Sequence, residues 1–150
     1  MATTVQPQTL VVTLSSKITL NGQALDSENT LSVPSVSAVD KRIVTVPTDS
    51  QVTLLTFGSV VAAGQLITGN VKFVSITNKD SANYIRLRVT RTNQDTFDVK
   101  ITPGGYYILM NASESVSATG VAFSSFVDAY NISAQADTAP VDIEIFAASI

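Results

Sequence analysis

An alternation of apolar and polar residues runs through Tyr84-Ile85-Arg86-Leu87-Arg88-Val89-Thr90-Arg91. Successive side chains of a β-strand point to opposite faces, so this pattern predicts a strand with one buried face and one solvated face. Similar patterns occur at residues 10–14, 16–20, 42–46, 51–57, 70–77, 96–101, 106–110, 126–132 and 141–146. The sequence therefore predicts about eight to ten short strands.

Turn residues separate these segments. Asn21-Gly22 accepts the positive φ angles of a tight type I′ turn, and Pro103-Gly104-Gly105 is typical of a second turn. Further breaks fall at residues 47–50, 58–69 and 78–81. Residues 24–39 are rich in Ser, Asp and Asn and predict a loop, in which Leu31, Val33 and Val36 leave room for a short edge strand.

The sequence contains few apolar residues at the spacing that is typical of a helix. Only residues 60–67 and 113–126 have apolar residues at helix-like intervals, and Gly120 interrupts the second segment. Many short strands without a helical crossover predict an all-β fold, an antiparallel two-sheet sandwich. A jelly-roll-like arrangement is the first choice and an immunoglobulin-like one the second.

The 150 residues match the size of one domain. Residues 1–8 are polar and contain Pro7, so we expect a flexible N-terminal arm that orders on contact with a partner, followed by a single β-sandwich domain at 9–150. The N-terminus has no secretory signal, which predicts synthesis in a cytoplasm. We expect no membrane span, because no apolar run approaches the length of about 18 residues that a membrane helix needs.

The amino-acid composition limits the classes of function that we expect for this chain. The chain contains no Cys and no His, which carry most nucleophilic, acid-base and zinc chemistry near neutral pH. We therefore expect no enzyme, no catalytic residue, no cofactor and no metal. A net charge of −3 favours neither nucleic acid nor an anionic membrane as a partner. Because 45% of the residues are hydrophobic and only 14% are charged, we expect a homo-oligomer, with a trimer favoured.

Two charged pairs are candidate subunit-interface residues. Arg86 and Arg88 share one strand face and can clamp a phosphate or carboxylate, meet an acidic strand, or form an ordinary polar face. Asp142 and Glu144 share a face of another strand, which also fits a solvated strand face better than the opposed carboxylates of a glycosidase. Metal binding by these two residues with Asp98 and Asp137 lacks the loop pattern of a calcium site.

Aromatic residues supply the remaining candidates. Phe123 and Phe126 are candidates for the core or for a subunit interface. Tyr106 and Tyr107 are adjacent, so one of them should face outward and could stack against a sugar, a function that a glycan array and Tyr107→Ala would test.

Three segments carry a resemblance to a known family. Residues 74–85, 101–109 and 141–146 resemble small β-sandwich virion structural proteins of tailed bacteriophages, of the capsid decoration or cement type, and the resemblance spans roughly residues 70–150. It implies a protein that sits on a capsid shell, often as a trimer, and uses a terminal arm to grip neighbouring capsid subunits. The resemblance assigns no function to any particular residue of this chain.

We therefore expect a non-enzymatic virion protein, assembled in the host cytoplasm, that stabilises a phage head by adhesion to the major capsid protein or other virion proteins. The alternatives are another virion component, such as a head fibre base, connector or tail protein, and a carbohydrate-binding β-sandwich module.

Overall fold

A computed structural model describes residues 4–91, 96–110 and 129–150. Within these ranges the regular structure is entirely β. The strands are β1 (Gln8–Ser16), β2 (Thr19–Leu20), β3 (Gln23–Ala24), β4 (Ser27–Val36), β5 (Ala38–Val46), β6 (Val52–Gly58), β7 (Gln65–Ile67), β8 (Val71–Asn78), β9 (Ile85–Arg91), β10 (Thr96–Ile101), β11 (Tyr106–Leu109), β12 (Ala129–Ala136) and β13 (Val141–Ser149).

Strands β5 to β13 form two sheets. One sheet has the order β10-β9-β12-β6-β7 and the other β11-β8-β13-β5. The antiparallel pairs are nested: β9 pairs with β10, β8 with β11, β6 with β12 and β5 with β13. A long antiparallel ribbon rolled up in this way is a jelly roll, so the predicted all-β sandwich is confirmed and its first-choice arrangement is the one observed.

The core lies between the two sheets. Alternate residues point inward, as with Ile85, Leu87 and Val89 on β9 and Ile143 and Ile145 on β13, and all five are buried. The charged residues between them face outward. The alternation in the sequence therefore identified the buried face of both strands, because a one-residue shift would place the charges in the core.

Residues 8–36 form a long β-hairpin ahead of the sandwich. Its tight turn at Asn21-Gly22 has φ angles of 50° and 79°, which confirms the predicted type I′ turn. The short edge strand allowed at Leu31, Val33 and Val36 is present, but it is longer than expected: residues 27–36 form β4, which pairs with β1, so most of the loop predicted for residues 24–39 is wrong. The composition favoured a loop because the first four residues of β4, Ser27 to Thr30, are all polar. In addition, Pro34 lies beside an irregularity in the β1–β4 register, where Ser35 has a φ of 61°.

Residues 60–67 do not form a helix. The chain turns at residues 63 and 64 and then forms β7, which pairs in parallel with β6 along Thr56 to Gly58. The segment 113–126 lies outside the described residues. Within the predicted N-terminal arm, residues 4–7 are exposed and outside any strand, while Gln8 already belongs to β1.

Candidate interaction surfaces

The base of the hairpin packs on the outer face of the four-stranded sheet. Val33 and Val36 of β4 are buried there against Phe73 of β8 and Ala148 of β13. Phe73 also meets Phe146 edge to face, with ring centroids 5.9 Å apart. Leu10, Val12, Leu31, Ile108 and Met110 complete this second apolar cluster. The cluster attaches the hairpin to the sandwich.

Beyond this base, the hairpin is uncovered. Every residue from Thr13 to Thr30 is exposed, including Leu14, Ile18, Leu20 and Leu25. We call residues 13–30 the hairpin tip. Its strands form hydrogen-bonded ladders only with each other among the described residues.

The two faces of the hairpin differ in chemistry. The register pairs Leu14 with Asn29 and Leu20 with Gln23, and the Leu25 amide donates to the Ile18 carbonyl at 2.8 Å. The same register therefore continues along the hairpin, and it places Val11 on the face that carries the charged residues. The other face carries the uncharged polar residues Ser16, Gln23, Ser27 and Asn29 and the remaining large apolar residues: Leu10, Val12, Leu14, Ile18, Leu20, Leu25, Leu31 and Val33. We call this the apolar face. All three charged residues of the hairpin, Lys17, Asp26 and Glu28, lie on the opposite face.

An ion-pair ladder occupies the outer face of the five-stranded sheet. Arg88 donates to both carboxylate oxygens of Asp98, with Nε 2.7 Å from Oδ1 and Nη2 2.9 Å from Oδ2. Arg86 contributes a second contact, with its Nε 3.2 Å from Asp98 Oδ2. Hydrogen bonds from Arg88 lower the pKa of the Asp98 carboxyl, and the charges of Arg88 and Arg86 lower it further.

Two shallow clefts adjoin this ladder and share Tyr84 and Arg86. One, of about 240 Å³, is also lined by Thr48, Gln135, Ala136 and Asp137. The other, of about 230 Å³, is also lined by Asp98, Val99 and Lys100, and the Lys100 ammonium lies 3.9 Å from the centre of the Tyr84 ring. Hydroxyl, amide, carboxylate and cationic groups therefore lie around Arg86, and the Gln135 side-chain amide donates to the Thr48 carbonyl at 2.8 Å.

The acidic pair lies on the other side of the sandwich. Asp142 and Glu144 point outward from the four-stranded sheet, where Asp142 accepts a hydrogen bond from Thr45 at 2.6 Å and Glu144 lies 4.0 Å from Lys41. The two sheets separate them from Arg86 and Arg88, so the arginines meet Asp98 instead of this pair within one chain. Phe123 and Phe126 lie outside the described residues.

The two adjacent tyrosines face opposite ways. Tyr106 is 59% exposed, whereas Tyr107 is half-buried and packs against the core. The outward tyrosine of this pair is therefore Tyr106. Substitution of Tyr107 would change packing as well as any sugar contact.

Sequence reasoning missed Asn78, which it treated as a turn residue. Asn78 is buried at the end of β8, where its Nδ2 donates to the carbonyls of Asn83 at 2.9 Å and Ile101 at 3.2 Å. Its Oδ1 accepts from the Asp80 amide at 2.9 Å. Asn78 thus ties the end of one sheet to β10 in the other, and no local pattern signals such a contact.

A separate apolar cavity of about 370 Å³ lies beside the hairpin base. Its lining includes Leu31, Val33 and Met110, together with Lys72 and Ile150. The cavity belongs to the junction between the hairpin and the sandwich. It contains too few polar groups to orient a polar ligand.

Two kinds of feature are absent from the described part of the chain. No group of three acidic residues lies close enough to hold a metal ion there. No helix in the same ranges is long and apolar enough to cross a membrane.

No protein-family model and no curated protein matches this chain. The class of molecule is therefore defined by the fold alone, as an all-β jelly-roll sandwich with an N-terminal hairpin.

Proposed function

We propose that this protein is a non-enzymatic structural protein of a bacteriophage virion. In this role it is a capsid decoration or cement protein that adheres to capsid subunits and stabilises the phage head. It acts as a homotrimer, assembles in the host cytoplasm and needs no cofactor.

The observation that carries the proposal is the exposed hairpin tip. An isolated two-stranded hairpin is marginally stable in water, because each strand has only one partner and no sheet or helix covers its face. Residues 13–30 nevertheless expose four large apolar side chains. A protein that works within an assembly has a use for such an element, because a neighbouring subunit can cover it.

Composition and fold support the same role. The absence of His and Cys leaves few routes to catalysis, and adhesion through apolar area requires no reacting group. Jelly rolls form the domains of many viral capsids, and the same fold also occurs in lectins.

Identification of the proteins in purified phage particles tests the proposal. We expect peptides of this chain in particles from the phage that encodes it, in a fixed ratio to the major capsid protein, and immunogold label on the head. The gene should lie beside capsid or terminase genes. Label on the tail or neck would instead favour a head fibre base, a connector or a tail protein, and absence from the particles would contradict a virion role.

The clefts around Tyr84 and Arg86 favour a carbohydrate-binding module as the second candidate. They offer Thr48, Gln135 and Asp137 as hydrogen-bonding groups for sugar hydroxyls. A glycan array with the wild-type protein and Arg86→Ala tests it, and Tyr106→Ala separately tests the outward tyrosine. Binding that Arg86→Ala abolishes would favour this candidate, whereas the absence of binding to any glycan would remove it.

A further inference from the structure

We infer that the hairpin tips of neighbouring copies pack against one another through their apolar faces, and that this contact holds the homo-oligomer together. The inference deepens the proposed function and rests on its homo-oligomeric role. The partner of the hairpin tip is therefore a second copy of this chain.

Continuity of the apolar face is the first argument. At its base this face is already an interface, because Leu10, Val12 and Val33 pack on Phe73 and its neighbours. The same face continues outward through Leu14 to Ile18, Leu20 and Leu25, where nothing among the described residues covers it. From Thr13 to Asn21 it extends by roughly 26 Å at about 3.3 Å per residue.

Charge is the second argument. The apolar face bears no charged residue, since Lys17, Asp26 and Glu28 all project from the other side. Two or three such faces can meet around a symmetry axis without burying an unpaired charge, and a symmetric contact needs a surface that complements itself.

The body of a neighbouring copy is a poorer partner for the tip. The uncovered part of the outer face of the four-stranded sheet exposes Val39, Ile43 and Tyr106, but Lys41, Asp142 and Glu144 lie among them. Packing Leu20 or Leu25 there would desolvate these charges without replacing their interactions with water. The contact between like faces avoids this cost.

Cysteine cross-linking tests the geometry directly, because the natural chain has no Cys. Leu20→Cys and Thr19→Cys are a matched pair, being adjacent exposed residues of β2 on opposite faces. We expect Leu20→Cys to form a disulfide-linked dimer of chains on mild oxidation at micromolar concentration, with Thr19→Cys largely uncross-linked. Equal cross-linking of both variants, or none in either, would overturn the inference.

Light scattering supplies the second measurement. Wild-type protein should exceed the 15.8 kDa of one chain, and Leu20→Ser or Leu25→Ser should raise the dissociation constant of the oligomer by about tenfold or more. Val11→Ser is the control, because Val11 is exposed on the opposite face. Circular dichroism should show that all variants keep the β fold.

The outcomes separate this inference from the proposed function. A monomer at every concentration, or an oligomer unaffected by Leu20→Ser and Leu25→Ser, would overturn the inference even if the chain were found in virions. An oligomer that depends on these leucines would support it even if purified phage particles lacked the chain.

Discussion

Arg88 and Asp98 form a two-pronged ion pair across neighbouring strands, with nitrogen to oxygen distances of 2.7 and 2.9 Å. The register of β9 and β10 places the two residues directly opposite each other on the outer face. Arg86 lies two residues away on the same strand and reaches the same carboxylate. One acidic residue thereby organises both arginines.

Arg88→Gln should reduce stability at neutral pH by about 0.5–1 kcal/mol, the upper part of the range for exposed pairs, because the geometry is bidentate. The folded protein holds the pKa of Asp98 below the ordinary carboxyl value of 3.8. This stabilisation is therefore fully present above pH 3.8 and lost as the pH falls through the lower, folded value.

Urea denaturation between pH 7 and pH 2 measures this difference. The wild-type and Arg88→Gln curves should converge as Asp98 becomes protonated, and Arg86→Gln should have a smaller effect at pH 7 because Arg86 makes a single contact. A gap between wild type and Arg88→Gln that is constant with pH would show that packing of the arginine stem, and not its charge, is responsible.

Asn78→Ala should destabilise the protein by about 2–3 kcal/mol, because it removes three hydrogen bonds, one of which is the buried bond to the Ile101 carbonyl. Gln51→Ala is the control, because the Gln51 amide is exposed outside the strands, and it should change stability by less than about 0.5 kcal/mol. Chemical denaturation measures both. A loss below about 1 kcal/mol for Asn78→Ala would mean that water replaces the amide at little cost.

Phe73→Ala should cost about 3–5 kcal/mol, since the ring is buried between the hairpin base and Phe146. The size of this decrease in the free energy of unfolding shows whether the hairpin base stays packed on the four-stranded sheet. Val11→Ala provides an exposed control on the hairpin. If the two substitutions cost the same, the base would be detached from the sandwich in solution.

Deletion of residues 1–8 should leave the thermal midpoint within about 2 °C of the wild-type value. A chain that starts at Thr9 loses only the pairing of Gln8 with Val36 from the β1 ladder. Differential scanning calorimetry checks this, and a capsid-binding assay checks whether the arm contributes to attachment. A midpoint several degrees lower would make the arm part of the fold.

Much of the sandwich could be predicted from the sequence because its strands are amphipathic. The alternation of apolar and charged residues that begins at Ile85 and Arg86 is typical of a half-buried strand. The dipeptide Asn21-Gly22 predicts a tight turn from residue type alone. The strand β4 could not be predicted in the same way. Its residues from Ser27 to Thr30 are exposed and polar, so only their pairing with β1 makes them a strand.

The candidate site was predicted only in part. The sequence placed Arg86 and Arg88 on one outward face, and the structure confirms that face. It did not indicate that Asp98, and not Asp142 or Glu144, would meet them, because a local pattern contains no information on which strands become neighbours. Whether any of these residues lies at a subunit interface remains a prediction.

By itself, the sequence determined the β architecture, the inward and outward faces of its best strands, and the lack of His and Cys chemistry, since each follows from residue type or from alternation along one strand. Only the tertiary structure decided the nested strand order, the Arg88–Asp98 pair, the role of Asn78 and the uncovered apolar face of the hairpin. These features join residues that are distant in the chain. Their positions depend on strand register and sheet packing, which are set by the burial of the whole core.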